Sequence, residues 1–239
     1  MGKIVSIVGI TASGKSALGI KLAQRFGGEI ISADSRQVYR GLDIGTAKVT
    51  AEERALVPHH LLDVAEPGEH FDVYAFQRLG YEAIDGVLRR RRLPIIVGGT
   101  GLYSRSVVQG YKFGKGKDAA RYEVLQICLL PPREQIRPLV EARIEARLRE
   151  GMIEETRALF GRGVAREWLL GLGLEYFWNI QYIEGRVTIE EYKKNLATKT
   201  MQYAKRQRTW FKRERNTHFL TDPAAYFDES MKLIKRFLT

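Results

Sequence analysis

The N-terminal part of the chain changes its hydrophobic period from one segment to the next. Residues 3–8 are apolar and β-branched, which predicts a strand. Apolar positions at helical spacing predict a helix over 17–26, and two glycines end it. Residues 29–33 predict a second strand that ends at Asp34. The order strand, loop, helix, strand is typical of an α/β protein.

The rest of the chain predicts alternating strands and helices, followed by a long helical stretch. Further strands are predicted at 93–97, 122–130 and 217–220. Helices are predicted over 72–90, from about 102, and over 133–150, 152–160, 168–183, 188–215 and 223–237.

The loop between the first strand and the first helix matches the pattern G-x-x-x-x-G-K-[ST] in the context that this pattern requires. Its residues are Gly9, Ile10, Thr11, Ala12, Ser13, Gly14, Lys15 and Ser16. The N–H groups of such a loop point into one concavity that suits phosphate oxygens. Lys15 adds a positive charge, and the Ser16 hydroxyl is a candidate Mg²⁺ ligand. The pattern predicts a phosphate site without identifying the phosphate compound.

Together these elements predict an α/β fold of the P-loop NTPase type, with a parallel sheet flanked by helices and a C-terminal helical portion. We predict a P-loop core over 1–132, a helical portion over 133–215, and a strand and helix over 216–239 that return to the core. The glycine- and lysine-rich residues 110–117 are predicted to join the core to its fourth strand.

Polar residues at the ends of two strands are expected to face the same crevice. Asp34 is well placed as a general base, and the alternatives are an indirect Mg²⁺ anchor or the cap of a turn. Thr100, in a glycine-rich turn, is either a site residue or a helix cap. His59 and His60 have no third ligand at metal spacing, so we interpret them as structural or substrate-proximal.

The composition favours a polyanionic partner. The 239 residues are 44% hydrophobic and 28% charged, as in a globular protein, and they carry a formal charge of +11 with a pI of about 9.8. Nucleic acid is the first candidate and an anionic membrane surface the second. Cys128 is the single cysteine and lies in an apolar run, which predicts a buried, inert thiol. With neither a signal-like start nor an apolar run of membrane length, we expect a monomeric, soluble, cytoplasmic protein without a membrane partner.

A basic helix is predicted over 199–215, where aromatic residues interrupt a run of positive charge. The packing stripe is predicted to hold Ile189, Tyr192, Leu196, Tyr203 and Trp210. The charged stripe is predicted to hold Lys205, Arg208, Lys212 and Arg215. The pattern leaves two alternatives, nucleic-acid contact and an ordinary solvated face.

Five segments in this order give the chain a family resemblance: GITASGKS, ISADSRQVYRGLDIGTAK, PHHLLD, VGGTGLY and YAKRQRTWFKR. Together they resemble the tRNA dimethylallyltransferase family. The resemblance is close over residues 1–110 and looser over about 125–220.

The resemblance implies transfer of a dimethylallyl group from dimethylallyl diphosphate to N6 of an adenosine beside the anticodon in tRNA. The phosphate loop would then hold the leaving diphosphate, with Mg²⁺ at Ser16. The catalytic residues implied are Asp34 as the base, Thr100 and Lys15. The tRNA-binding residues implied are Asp34, Ser35, Arg36, Gln37, Thr100, Lys205, Arg206, Gln207 and Arg208.

Three departures from the family pattern are visible in the sequence. The joint at 110–117 leads almost directly to the fourth strand, where the family carries a helical insertion that helps to grip tRNA. Leu170 and Met201 stand where the family has arginines, so the cations that help to hold the diphosphate are either missing or supplied by Arg206 or another nearby residue. Ser16 stands where threonine is common, which keeps the hydroxyl.

Three other functions remain open from the sequence. An isopentenyltransferase acting on free adenine nucleotides shares the core, and the missing insertion favours it. A small-molecule kinase would use the phosphate loop for ATP and Asp34 for the acceptor hydroxyl. A catalytically inactive RNA-binding protein would retain tRNA without transferring a prenyl group.

Overall fold

Six parallel strands form the main sheet of the structure, a computed structural model that describes residues 1–112, 116–117 and 121–239. The strands are β1 (Gly2–Gly9), β2 (Gly28–Ser32), β3 (His59–His60), β4 (Leu93–Gly98), β5 (Tyr111–Lys112), β6 (Gly116–Lys117), β7 (Tyr122–Leu129) and β8 (Thr217–Leu220). The helices are α1 (Lys15–Phe26), α2 (Ala51–Leu56), α3 (Val73–Arg89), α4 (Gly101–Val108), α5 (Arg133–Arg149), α6 (Met152–Gly161), α7 (Arg166–Leu172), α8 (Leu174–Ile183), α9 (Ile189–Phe211) and α10 (Tyr226–Leu238).

The order of the strands brings three loops to one edge of the sheet. The order is β3-β2-β4-β1-β7-β8, and every pairing between these strands is parallel. The neighbours β2, β4 and β1 therefore end side by side, and their carboxyl ends carry Asp34, Thr100 and the phosphate loop. The predicted α/β fold with a parallel sheet flanked by helices is confirmed.

Alternating side chains of the central strand fill the core on both faces of the sheet. Val5 and Ile7 pack in one cluster with α1 and α10. The side chains of Ile4 and Val8 lie on the other face of the sheet. There Ile4 packs with α3 and α4, and Val8 packs with α5 and α9. This alternation is the two-residue period of a strand, and it places α9 on the face opposite α10.

The structure differs from the predicted helices in three places. The helix predicted over 188–215 is too long, because α9 ends at Phe211 and Arg215 lies beyond it. The predicted helix over 168–183 is wrong as one helix, because α7 and α8 meet at Gly173 with φ 70° and ψ −165°. That conformation is essentially restricted to glycine and ends a helix. Helix α2 was not predicted, although Thr50 and Glu53 form a capping box at its start.

The joint after α4 is described only in part. The two-residue strands β5 and β6 pair in antiparallel fashion, while residues 113–115 of the predicted joint at 110–117 lie outside the described residues. In the described part of the chain, no helix combines the length and the apolarity that crossing a membrane requires.

Candidate active site

The phosphate loop turns sharply between β1 and α1. Ala12 and Gly14 adopt left-handed conformations with φ 60° and 83°, and α1 begins directly afterwards at Lys15. A Cβ at Gly9 would lie 2.6 Å from the carbonyl oxygen of Leu129, so only glycine fits there. The free N–H groups of the helix start and the loop form a concavity suited to an anion.

The loop opens into a cleft of about 1410 Å³. The cleft brings together the ends of β1, β2 and β4, the segment over 43–54, and side chains from α5, α8 and α9. This volume exceeds that of an ordinary small-ligand pocket, which is about 300–1,000 Å³. It suits two substrates that must meet.

Asp34 and Thr100 are held beside each other at the floor of the cleft. The Asp34 Oδ1 atom accepts hydrogen bonds from the N–H groups of Arg36 at 2.9 Å and Gln37 at 3.4 Å. Among the described residues no donor reaches Oδ2, which leaves that oxygen for a substrate. Thr100 Oγ1 accepts from the N–H of Ser35 at 3.2 Å and makes no cap hydrogen bond to α4. Asp34 thus caps a turn and keeps a free oxygen, while the Thr100 side chain is not a helix cap.

A close approach of two strands explains this pairing. A Cβ at Gly98 would overlap the carbonyl oxygen of Ala33, so the ends of β4 and β2 touch. The N–H of Thr100 then donates to the same Ala33 oxygen at 3.3 Å. Glycine at position 98 therefore fixes the distance between the two predicted catalytic residues.

Two neighbouring cations, Lys15 and Arg143, make no salt bridge within the described part of the chain. Burial and the neighbouring Arg143 guanidinium lower the pKa of the Lys15 ammonium to about 8. Burial, and then the charge of Arg147, lower the pKa of Arg143 to about 10, and Asp34 acts on both cations in the opposite sense. In the described part of the chain, Arg143 has no hydrogen-bond or ion-pair partner. A pair of half-buried cations is costly unless an anion joins it, which indicates an anion site.

Arg143 and Arg147 were not predicted as site residues from the sequence. Both line the cleft from α5, and Arg147 donates to Glu175 Oε1 at 2.8 Å and to the carbonyl oxygen of Gly45 at 3.2 Å. Arg147 is 8% exposed and shares the buried face of α5 with Ile144. An arginine on a predicted apolar stripe is the signal that would have found it.

The upper wall of the cleft is tied to the helical portion by Glu155. Its carboxylate accepts from the N–H groups of Asp43 at 2.8 Å, Ile44 at 2.6 Å and Gly45 at 3.1 Å. The Tyr176 hydroxyl donates to the same carboxylate at 2.9 Å, and burial raises the pKa of Tyr176. These bonds satisfy a turn that would otherwise leave N–H groups unpaired.

Some predicted tRNA-binding side chains serve the fold. The Gln37 amide donates to the carbonyl oxygens of Thr46 at 3.2 Å and Ala47 at 3.1 Å. Gln207 is 6% exposed; it accepts from the N–H of Thr11 at 2.7 Å and donates to the carbonyl oxygen of Gly99 at 2.9 Å. Both amides are therefore occupied within the protein.

The basic helix also differs from its predicted stripes. Lys205 and Arg206 are exposed, and Arg206 lines the cleft. Arg208, placed on the charged outer stripe, is half-buried and donates to the carbonyl oxygen of Pro131. Trp210, placed on the packing stripe, is 37% exposed, so that prediction is wrong. Both errors concern the second half of α9, where the buried face is formed by Ala204, Gln207 and Phe211 instead.

The two histidines and the cysteine discussed from the sequence have structural environments. His59 and His60 form the edge strand β3; His60 lies 2.7 Å from the Glu29 carboxylate, and the Nδ1 atom of His59 lies 2.8 Å from the Val57 carbonyl oxygen. Cys128 is fully buried, as predicted, and burial raises the pKa of its thiol to about 12, which favours an unreactive thiol.

The two positions where family arginines are absent lie outside the cleft lining. Leu170 packs in a cluster around Val38 and Tyr39, and Met201 packs against the cluster that holds Leu196 and Ala204. The cations that line the cleft are Lys15, Arg36, Lys48, Arg54, Arg143, Arg147, Lys199 and Arg206.

The residues present fit a Mg²⁺ ion held mainly by a diphosphate. Ser16 lines the cleft with an exposed hydroxyl, and Asp34 offers a free oxygen. No group of three or more acidic, histidine or cysteine side chains in the described residues forms a metal site of its own. Mg²⁺ accepts such sparse protein ligation because it keeps waters and phosphate oxygens.

Comparisons with known proteins match this architecture. A family model described as IPP transferase matches residues 37–121 and 112–214, and one described as isopentenyl transferase matches residues 2–60. A tRNA dimethylallyltransferase 2 of Shewanella sediminis is 38% identical over 268 residues, 88% of this chain and 89% of the relative. The crystal structure of the full-length tRNA isopentenylpyrophosphate transferase of Bacillus halodurans has a TM-score of 0.91 and 32% identity, covering 100% of this chain and 97% of that one.

A further relative is longer than this chain over its aligned length. The tRNA dimethylallyltransferase of Streptococcus sanguinis is 36% identical over 291 aligned positions, covering 99% of this chain and 98% of the relative. Because this chain has 239 residues, at least 52 of those positions have no counterpart in it. The two pieces of the family match overlap at 112–121, at the joint where the sequence predicted a missing insertion.

Proposed function

This chain belongs to the tRNA dimethylallyltransferase family, and from that membership and its cleft we propose that it transfers a dimethylallyl group from dimethylallyl diphosphate to N6 of an adenosine beside the anticodon in tRNA. The observation that carries the proposal is that the Asp34 carboxylate and two cations without a salt bridge, Lys15 and Arg143, line the same cleft as the phosphate loop. The cations suit a diphosphate, and the carboxylate suits an amine.

The displacement reaction needs positive charge beside the leaving diphosphate and a negatively charged base beside the attacking amine. The N6 nitrogen attacks C1 of the dimethylallyl group, the C1–O bond breaks, and the diphosphate leaves with the electron pair. Lys15 and Arg143 are placed to neutralise that leaving charge, with the loop N–H groups. Asp34 Oδ2 receives the proton that N6 loses.

Thr100 and Ser35 position the acceptor in this proposal. Thr100 Oγ1 accepts from the Ser35 N–H at 3.2 Å. Its own hydroxyl donates to Ser35 Oγ at 3.4 Å, a long hydrogen bond that a closer acceptor on a substrate can replace. A purine nitrogen or exocyclic amine beside Asp34 would meet this pair, which orients the amine toward the cations. A base must leave its stack to reach such a depth.

Ser16 would hold a Mg²⁺ ion on the diphosphate, and Asp34 would orient one of its waters. When bound, the ion supplies further neutralisation of the leaving group. We also propose that the protein acts as a monomer in the cytoplasm, where its tRNA substrate is found; light scattering measures the first point.

Mass spectrometry of tRNA nucleosides after incubation with dimethylallyl diphosphate tests the proposal. We expect N6-dimethylallyl adenosine in tRNA, and far slower prenylation of AMP. Preferential prenylation of AMP would replace tRNA by a free nucleotide as the acceptor. Phosphoryl transfer from ATP without any prenyl transfer would show a kinase, and retention of tRNA without product would show an inactive binding protein.

A further inference from the structure

A stripe of aromatic and arginine side chains runs out of the cleft along α9. Tyr203 and Arg206 line the cleft, and the Arg206 guanidinium lies 5.7 Å from the centre of the Tyr203 ring. Trp210 follows Arg206 one helical turn later, on the same face of α9. The stripe therefore connects the reaction cleft with the outer surface.

Trp210 is placed beside the catalytic floor and stays accessible. A Cβ at Gly101 would overlap its indole, so the ring lies directly on the backbone there. Gly101 follows Thr100 in the chain. The side chain is 37% exposed, and Leu102, the residue after Gly101 in α4, is 42% exposed. A large ring that is only half-covered beside an active site indicates contact with a ligand rather than core packing alone.

A shielded cluster of polar residues holds this ring in position. The Arg105 guanidinium lies 5.0 Å from the centre of the Trp210 ring. Glu214 pairs with Arg105 at 3.1 Å and accepts a hydrogen bond from Gln109 at 2.9 Å. Its carboxylate is 5% exposed, so this pairing is protected from solvent. The ring is thus ordered before any ligand arrives, which reduces the entropy lost on binding.

We propose that Tyr203, Arg206, Arg105 and Trp210 form a track for the unpaired nucleotides that flank the target adenosine, with one base stacked on the Trp210 indole. Single-stranded RNA is bound by such aromatic rings and arginines together. The formal charge of +11 complements an RNA loop. Continuity with the cleft puts the neighbours of a flipped base on this track. The inference rests on the proposed function for the identity of the flipped base.

Fluorescence and binding of an anticodon stem-loop RNA test the track. Addition of the RNA to the wild type should quench tryptophan fluorescence through Trp210, and Trp210→Phe should abolish most of the quenching while keeping the affinity within about threefold. Trp168→Phe is the matched control, because Trp168 packs edge-on against Tyr39 at 4.9 Å in another cluster. It should leave the quenching intact.

Trp210→Ala separates a stacking role from a structural one. We expect it to weaken stem-loop binding about 5- to 100-fold, since loss of one stacked base costs this much. The dependence of binding on salt should be unchanged, because no cation is removed. The affinity for inorganic pyrophosphate should equal that of the wild type, because the phosphate loop does not use this ring.

Three experimental outcomes would contradict the proposal of a nucleotide track. Unchanged stem-loop affinity in Trp210→Ala would remove the stacked base, and a parallel loss of pyrophosphate affinity would make Trp210 a packing residue only. Equal quenching by a fully paired RNA would remove the preference for unpaired nucleotides. The proposed function fails separately: quenching through Trp210 without prenyl transfer to any RNA would leave the track standing and refute the enzyme.

Discussion

At the residue scale, the free Oδ2 atom of Asp34 predicts how a substitution at this position changes turnover. Asp34→Asn keeps an Oδ1 atom that accepts from the N–H groups of Arg36 and Gln37, so the turn survives. The amide cannot take up a proton, and we expect turnover to fall by about 10²- to 10⁴-fold. Single-turnover rates with saturating tRNA measure this loss. Stem-loop affinity should stay near the wild-type value, and an unchanged rate would remove Asp34 as the base.

The pKa of Lys15 gives a second prediction at this scale. With that pKa lowered to about 8, the free protein loses the Lys15 charge as the pH rises through about 8. Diphosphate binds the charged form of Lys15 more tightly, so the pKa of Lys15 is higher in the complex than in the free protein. Affinity is therefore full below that pH and weaker above it. Calorimetric titration with inorganic pyrophosphate, without Mg²⁺, measures the decline.

Lys15→Arg is the control for the titration of pyrophosphate itself. The guanidinium keeps its charge over the same pH range. As the pH rises through about 8, the affinity of this variant for pyrophosphate should therefore fall less than the affinity of the wild type. Parallel curves for the two proteins would show that Lys15 is not the group that titrates.

At the scale of elements, the break between α7 and α8 depends on backbone conformation alone. A Cβ at Gly173 would meet no atom within 4 Å, yet φ is 70° and ψ −165° there. Gly173→Ala should destabilise the protein by about 1–3 kcal/mol. Gly171, within α7, also has open space for a Cβ but no positive φ. Gly171→Ala should be neutral or stabilising by about 0.5–1 kcal/mol, and chemical denaturation compares the two. Equal effects would mean that the break carries no backbone strain.

The elements that could be predicted from the sequence are those set by local patterns. The phosphate loop, β2 and β4 are each predicted by a hydrophobic run and the turn that follows it. Asp34 and Thr100 were therefore placed correctly at the same edge of the sheet. The break at Gly173 was hidden because apolar residues continue through it at helical spacing. Arg143 was missed because its importance depends on how α5 packs over the cleft, which no local pattern encodes.

At the scale of the whole molecule, charge is distributed between two faces of the sheet. Lys205 is exposed on α9, and Lys235 is exposed on α10 on the opposite face. Lys205→Ala should reduce the slope of log affinity against log salt for the stem-loop RNA by about 1, as for one phosphate contact. Lys235→Ala should leave the slope unchanged. Equal slopes for all three proteins would make the exposed face of α9 an ordinary solvated surface.

The hydrogen bond between Thr11 and Gln207 joins residues 196 positions apart. Gln207 also fixes the carbonyl of Gly99, so the anion cradle is assembled from both halves of the chain. During synthesis on the ribosome, the nascent N-terminal half emerges with the loop sequence complete but with its far support still untranslated. Diphosphate can therefore stabilise the protein only late in translation, and prematurely terminated chains should not capture the prenyl donor.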